Sequence, residues 1–528
     1  MDRNPHVGCC PRSEKQTCGQ KKGQAMNRIA CLSLVSGVFL SGTQLWAGTP
    51  DGSERETVQK AVKAARCWLA ANAAGRAAFE PTLEKYGQDI DAVIEELMPK
   101  GSDKYKDIKG YEVKGDSFTI PELLERNRDH PFNYYVPPHY VPAKKMGLML
   151  WMHGGGTYKP GRNAKRKSIQ NKLDELKVGD YICVAPEACH GVNFPKGAVM
   201  DKLAGRWSVP ASERYLSDII NEFMHRYNID PNRIVLWGYS MGGVGAYNHA
   251  MRTDRFAVVG IGGGSWSYGT FDAMLNTPAF IWHGKNDSFW KSKTDCRNRF
   301  TDVSHARYAD EILTDLGYEH KYIETDGGHY SVNLLNGKSV DITKTYFYSG
   351  TSGYVIGKYR NPFPERVIAM TPRGSYESHD PLTSGDVYYQ PESLHDRWVS
   401  IERYTPGPVR VHCVNKKGRL RKADSYQEWL SYSATRGVSK FNGAKIDIEN
   451  LGNNVFKATT KHVDSYSIWL HSKMVDFRRP IKVTTNGVSA EYSCKPSLLN
   501  ALKSYERRYD WGLIYPATIS VRVVEKDK

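Results

Sequence analysis

The residues best suited to chemistry lie in four short motifs, each directly behind an apolar run. Trp237-Gly238-Tyr239-Ser240-Met241-Gly242-Gly243 follows the run RIVLW. A Gly-x-Ser-x-Gly segment between a strand and a helix presents its serine on a tight bend. Glycines two residues to either side leave room for a strained backbone, and the hydroxyl projects above the sheet. The run PAFIW leads into His283-Gly284-Lys285-Asn286-Asp287, and HKYIE leads into Thr325-Asp326-Gly327-Gly328-His329. A serine hydroxyl is a weak nucleophile at neutral pH. A histidine can take its proton and hand it to a leaving group, and a carboxylate can fix the imidazole tautomer. Ser240, Asp287 and His329 supply one of each, in that chain order. Asp326 is the competing acid, but a residue three before the histidine in a tight turn rarely points at its ring, so Asp287 is preferred.

The fourth motif, His153-Gly154-Gly155-Gly156, follows the run GLMLWM. Consecutive glycines let the backbone approach a substrate and present N–H groups. One from Gly154 or Gly155, with that of Met241, would stabilise a developing oxyanion. His153 reads as structural, because a base so early breaks the chain order. His190, His249 and His283 read as structural or surface groups. Trp207 and Trp290 are candidates to line a substrate pocket, with core packing the equal alternative.

These motifs need a frame that gathers them. GLMLWM, YICVA, RIVLW, FAVVG, PAFIW and HKYIE recur with helical stripes between several of them. Leu216, Ile219, Ile220 and Phe223 form one stripe. Tyr308, Ile312 and Leu316 form another, closed by Gly317 as a C-cap. Continuous apolar strands between amphipathic helices require a mostly parallel sheet covered on both faces. Such sheets place their sites beyond the carboxyl ends of the strands. The expected organisation is an α/β catalytic domain over residues 132–351, preceded by a helical N-terminal region over 48–131. A Gly-, Pro-, Ser- and Asp-rich linker over 352–395 leads to a β-rich accessory domain over 396–528, where short alternating runs and the Asn486-Gly487 turn signal strands and hairpins.

The series HGGG, GYSMGG, HGKND and GGH resembles the α/β-hydrolase superfamily. Within it, the series is similar to secreted esterases of the feruloyl-esterase and polyhydroxybutyrate-depolymerase type, and to the catalytic domain of prolyl-oligopeptidase-like enzymes. The likeness spans roughly residues 132–345. It implies Ser240, Asp287 and His329 as a catalytic triad, with Met241 and Gly154 or Gly155 as oxyanion donors. It also implies cleavage of esters, thioesters or peptides through an acyl-enzyme. One departure is the segment SFWKSK after Asp287, where the family continues with small apolar residues. No β-propeller precedes the catalytic part, which argues against a true oligopeptidase. The expected function is therefore an exported serine hydrolase of carboxylic esters that needs no cofactor and acts on a small-molecule or polymer ester. A serine peptidase, or a non-catalytic protein gripping a polysaccharide or surface on the same scaffold, are the alternatives.

Composition bounds the rest. Of 528 residues, 40% are hydrophobic and 25% charged, a globular balance that excludes wholesale disorder. The chain has no apolar run of about 18 residues, so neither multiple membrane spans nor stable membrane insertion is expected. The formal charge of +16 permits contact with acidic surfaces. Basic clusters within residues 159–172 and 416–422 read as solvated loops, or for the first as a cationic lid. Nucleic acid is not an expected partner. Residues 29–40 form an apolar run behind Arg28 and ahead of Ala47-Gly48. This reads as a secretory signal over residues 1–47 starting at Met26, for a secreted or periplasmic protein. Six of the ten cysteines follow Cys31. That is too few for a disulfide scaffold; Cys183 and Cys189 are the nearest pair, and no spacing suggests a metal site.

Overall fold

The computed structural model describes residues 52–524 apart from 88, 111, 129, 155–178, 189–206, 208–209, 265–270, 288–302, 330–332, 350–351, 373–396 and 411–439. Within it the apolar runs become strands of one sheet. These are Glu112–Asp116 (β1), Phe132–Tyr135 (β2), Met146–Met152 (β3), Tyr181–Pro186 (β4), Ile229–Tyr239 (β5), Val258–Gly262 (β6), Ala279–Gly284 (β7) and His320–Thr325 (β8). Their order is β1-β2-β4-β3-β5-β6-β7-β8. β1 and β2 join antiparallel, and every pairing from β4 to β8 is parallel. Every residue of β3, β4, β6 and β7 is buried, which is why these strands read as unbroken apolar runs.

Alternate side chains along the strands feed two cores. Leu148, Leu150, Ile182, Val184, Ile234, Leu236, Val259 and Ile281 face one core. They share it with the helices Gly52–Ala70 (α1), Ile90–Leu97 (α2), Pro210–Arg226 (α3), Met241–Arg252 (α4) and Val303–Asp315 (α5). The expected stripes are the buried ones: Leu216, Ile219, Ile220 and Phe223 on α3, and Tyr308 and Ile312 on α5. Gly317, at φ +68°, ends the second. Met149, Trp151, Val235, Trp237, Phe280 and Trp282 face the other core, covered by Ile342, Phe347, Tyr348 and Val355. Trp151, Trp237 and Trp282 form a row across that face, with ring centroids 6.1 and 6.0 Å apart.

Leu334–Leu335 (β9) and Lys338–Ser339 (β10) make a small hairpin after β8. The C-terminal part then builds two further sheets. One holds Arg366–Pro372 (β11), Gly407–Arg410 (β13), Lys440–Asn450 (β14), Val455–Lys461 (β15), Ile481–Thr485 (β17) and Val488–Tyr492 (β18). The other holds Val399–Tyr404 (β12), Val463–Leu470 (β16) and Ala517–Arg522 (β19). Val367, Ile446, Phe456 and Val483 of the first sheet share a core with Ile401, Tyr466, Ile468 and Val521 of the second. Asn486, at φ 50°, and Gly487, at φ 87°, form the expected turn between β17 and β18.

Two boundaries differ from the sequence expectation. The N-terminal region taken as helical over 48–131 contributes β1 to the main sheet. That strand is polar (EVKGD), pairs with β2 alone and breaks register between Val113 and Asp116, so neither alternation nor apolarity marks it. The linker taken over 352–395 contains β11, which pairs residue for residue with β14. Its apolar run is brief and sits in a stretch whose composition resembles a connector. The late helix Leu498–Arg508 (α6) also leaves the β-rich part and buries Leu498, Leu499, Ala501 and Leu502 in the main core. Asp510 lies just beyond it, buried against Arg255, Arg360 and Arg508. Residues 52–528 thereby form one compact unit. The proposed signal segment, the basic clusters and Cys189 lie outside the described residues.

Candidate active site

Strand register gathers the four motifs. Met152 at the end of β3 lies opposite Gly238, Tyr239 opposite Gly262, Gly262 opposite Trp282, and Gly284 opposite Thr325. The carboxyl ends of β3, β5, β7 and β8 are therefore level, and the loops after them open onto one edge. From β3 the chain crosses to β4 on one side and returns to β5 on the other, a switch of direction that leaves a crevice beyond the strand ends.

Ser240 sits between β5 and α4 at φ 56° and ψ −117°, outside the regions that a side chain ordinarily favours. Such backbone typically costs about 1–3 kcal/mol and persists only where its surroundings over-determine it. Here they do. The Ser240 N–H donates to the Gly262 carbonyl at 2.8 Å. A Cβ on Gly238 would lie 2.3 Å from the Gly242 carbonyl oxygen, and one on Gly242 would lie 2.0 Å from that of Met152. The turn closes only because both positions lack a side chain.

His329 faces this serine. Its Nδ1–H donates to Asp287 Oδ2 at 2.7 Å, which leaves Nε2 to accept from the Ser240 hydroxyl at 3.0 Å. Tyr239 stands beside it, the two ring centroids 5.4 Å apart, and the Tyr239 hydroxyl donates to the His329 carbonyl. Asp287 is fully buried at the end of the β7 loop. Asp326, the competing acid, turns away: it accepts from Lys285 Nζ at 2.7 Å and from the Gly337 N–H at 3.1 Å. The Lys285 hydrogen bond, joined by the Gly337 N–H, holds the Asp326 carboxyl below its usual range.

Met241 opens α4, so its N–H belongs to the first turn, where no intrahelical acceptor exists. Gly154 lies over the serine, a Cβ built there being 3.3 Å from Ser240 Cβ. His153 accepts the Ala188 N–H at Nε2, 3.1 Å away, so its Nδ1 carries the proton and donates to the Gly154 carbonyl at 2.8 Å. Both ring nitrogens of His153 are thereby engaged with backbone groups. Gly155 and Trp290 lie outside the described residues.

Trp207 takes the core-packing alternative. It is fully buried, its Nε1–H donates to the His153 carbonyl at 3.0 Å, and its Cβ fills the space that a side chain on Gly245 would need. The indole braces the end of β3 from beneath, a role that residue type alone does not reveal. Sequence reasoning missed His283. Its Nε2 lies 3.1 Å from the same Asp287 oxygen that His329 uses, and it is fully buried. The available signal was its position four residues before Asp287. Among the described residues no cluster of His, Cys, Asp and Glu could hold a metal ion, and no helix is long and apolar enough to cross a membrane.

The mostly parallel sheet with helices packed on it and these side chains at its strand ends is an α/β-hydrolase fold, followed by C-terminal β sheets. Residues 124–332 match the Esterase family model, described as "Putative esterase". A bifunctional acetylxylan esterase/xylanase, XynS20E, from Neocallimastix patriciarum is 34% identical over 100 residues, 18% of this chain and 14% of that protein. Among solved structures, a thermostable esterase is 18% identical with a TM-score of 0.28, over 37% of this chain and 50% of its own. The thermophilic esterase Est2 of the planctomycete Thermogutta terrifontis is 14% identical with a TM-score of 0.29, over 41% of this chain and 84% of its own. The chain thus spans only a small part of the curated relative and half of the first of these structures.

Proposed function

We propose that the protein is an exported serine hydrolase that cleaves carboxylic esters. The observation that carries this reading is the unbroken chain of contacts from Asp287 through His329 to Ser240, at 2.7 and 3.0 Å. The match of residues 124–332 to the esterase family supports the substrate class. In the proposed reaction Ser240 Oγ bonds to the acyl carbon as its proton passes to His329 Nε2. The oxyanion is held by the Met241 N–H and by that of Gly154 or Gly155. Such donors are each commonly worth about 3 kcal/mol in the transition state. The carbon–oxygen bond to the alcohol then breaks, and the alcohol leaves with the proton from His329. Water, deprotonated by the same nitrogen, hydrolyses the acyl-enzyme and restores Ser240. Asp287 keeps the imidazole in the productive tautomer throughout.

A fluorophosphonate probe tests the nucleophile directly. Stoichiometric modification mapped to Ser240 by mass spectrometry is the expected result; modification elsewhere, or none, overturns the reading. p-Nitrophenyl esters assayed beside aminoacyl nitroanilides test the substrate class, with turnover expected on the esters alone. The name of the Neocallimastix patriciarum relative makes acetylated xylan the first polymer to try.

A further inference from the structure

From the geometry around Asp287 we infer that His283 is a second imidazole bound to the catalytic acid, a positioning residue for Asp287. The inference rests on the ester-hydrolase reading of Ser240. Asp287 is buried; His329 Nδ1 donates to its Oδ2 at 2.7 Å, and His283 Nε2 lies 3.1 Å from the same oxygen. Its Oδ1 has no hydrogen-bond partner among the described residues. A carboxylate removed from water depends on the donors that remain to it. Here two imidazole nitrogens lie within reach of one oxygen, and one of the rings must keep moving a proton. The two also differ in mounting. His329 lies in a loop four residues beyond β8, whereas His283 lies within β7, paired opposite Glu324 with its carbonyl accepting from Thr325 Oγ1 at 3.3 Å. The strand-borne ring is the fixed member. It pins Oδ2 in space, so that the loop-borne ring meets the acid at one position and turns Nε2 toward Ser240. The nearby pair Lys285–Asp326 is satisfied within itself and takes no part.

His283→Phe removes the donor while filling the space, and His283→Gln restores an N–H near the position of Nε2. Both are compared with the wild-type chain on p-nitrophenyl acetate, with folding followed by Tm. His283→Phe is expected to lower kcat by about 10–100-fold, the scale of a misplaced catalytic group, with KM nearly unchanged. His283→Gln should recover most of kcat. A wild-type kcat in His283→Phe would overturn the inference. So would equal losses in both variants, since only packing would then have been disturbed. Fluorophosphonate labelling separates the two readings: an unlabelled wild-type Ser240 removes the hydrolase reading, whereas a labelled one beside an indifferent His283→Phe removes only this one.

Discussion

The ammonium of Lys285 sits 2.7 Å from Asp326 Oδ1, and that pair holds Asp326 apart from the acid that meets His329. Asp326 is three residues from the histidine in sequence, yet its charge is spent on Lys285 and on the Gly337 N–H. Asp287, distant in the chain, holds the ring. The two acids should therefore separate cleanly. Asp287→Asn is expected to lower kcat by about 10⁴-fold, the scale seen when the acid of a triad loses its charge and presents the wrong tautomer. Asp326→Asn should keep kcat within a few-fold of wild type. Steady-state kinetics on one p-nitrophenyl ester decide it, and a larger loss at Asp326 would reverse the assignment.

Ser240→Ala removes the hydroxyl and leaves the bend, which is fixed by the Ser240 N–H to Gly262 bond and by the glycines. Turnover should fall about 10⁶-fold, the order found when a triad nucleophile is deleted. Thermal unfolding should change little. Persistent ester cleavage by the purified variant would move the site elsewhere.

Gly242→Ala tests the bend itself. The new methyl would start 2.0 Å from the Met152 carbonyl, a backbone atom in a buried strand that cannot swing aside. Overpacking of this kind commonly costs about 1–3 kcal/mol and shifts backbone. The expected outcome is a lowered Tm together with lost fluorophosphonate labelling. A variant with wild-type stability and labelling would mean that the turn is looser than described.

Asp510 ties the C-terminal part to the hydrolase sheet. Burial by itself would push its carboxyl up, but Arg255, Arg360 and Arg508 outweigh that and hold it well below the usual range. A carboxyl lowered in the folded state contributes stability above its unfolded pKa, near 3.9, and that contribution is lost as pH falls through the folded value. The wild-type Tm should therefore drop on acidification below about pH 4, where the unfolded chain takes the proton first. Asp510→Asn leaves three buried guanidinium groups short of a partner and should cost about 3–5 kcal/mol at neutral pH, while flattening the acid slope. Denaturant melts of both proteins at pH 7 and pH 3 measure the two effects, and an unchanged slope would exclude Asp510 as its source.

The sequence by itself determined the apolar strands of the parallel sheet, the bends and the chemical parts. An apolar run closed by glycine within a few residues signals where a buried strand must stop, and Ser240, Asp287 and His329 each lie just past such a run, with Gly154 closing another. Those signals are local, so they survive in one dimension. What only the tertiary structure decided was which side chains meet. Trp207 looked equally fit for a pocket wall or a core, and its indole N–H found the His153 carbonyl instead. β1 and β11 carry too little pattern to be read as strands, because the partner that fixes them lies far along the chain. His283 showed only a spacing of four residues from Asp287; its buried contact with that carboxylate depends on the path of the loop after β7. Hydrogen-bond partnership is a property of positions to within a few tenths of an ångström, and a residue's type fixes what it can donate or accept without fixing to whom.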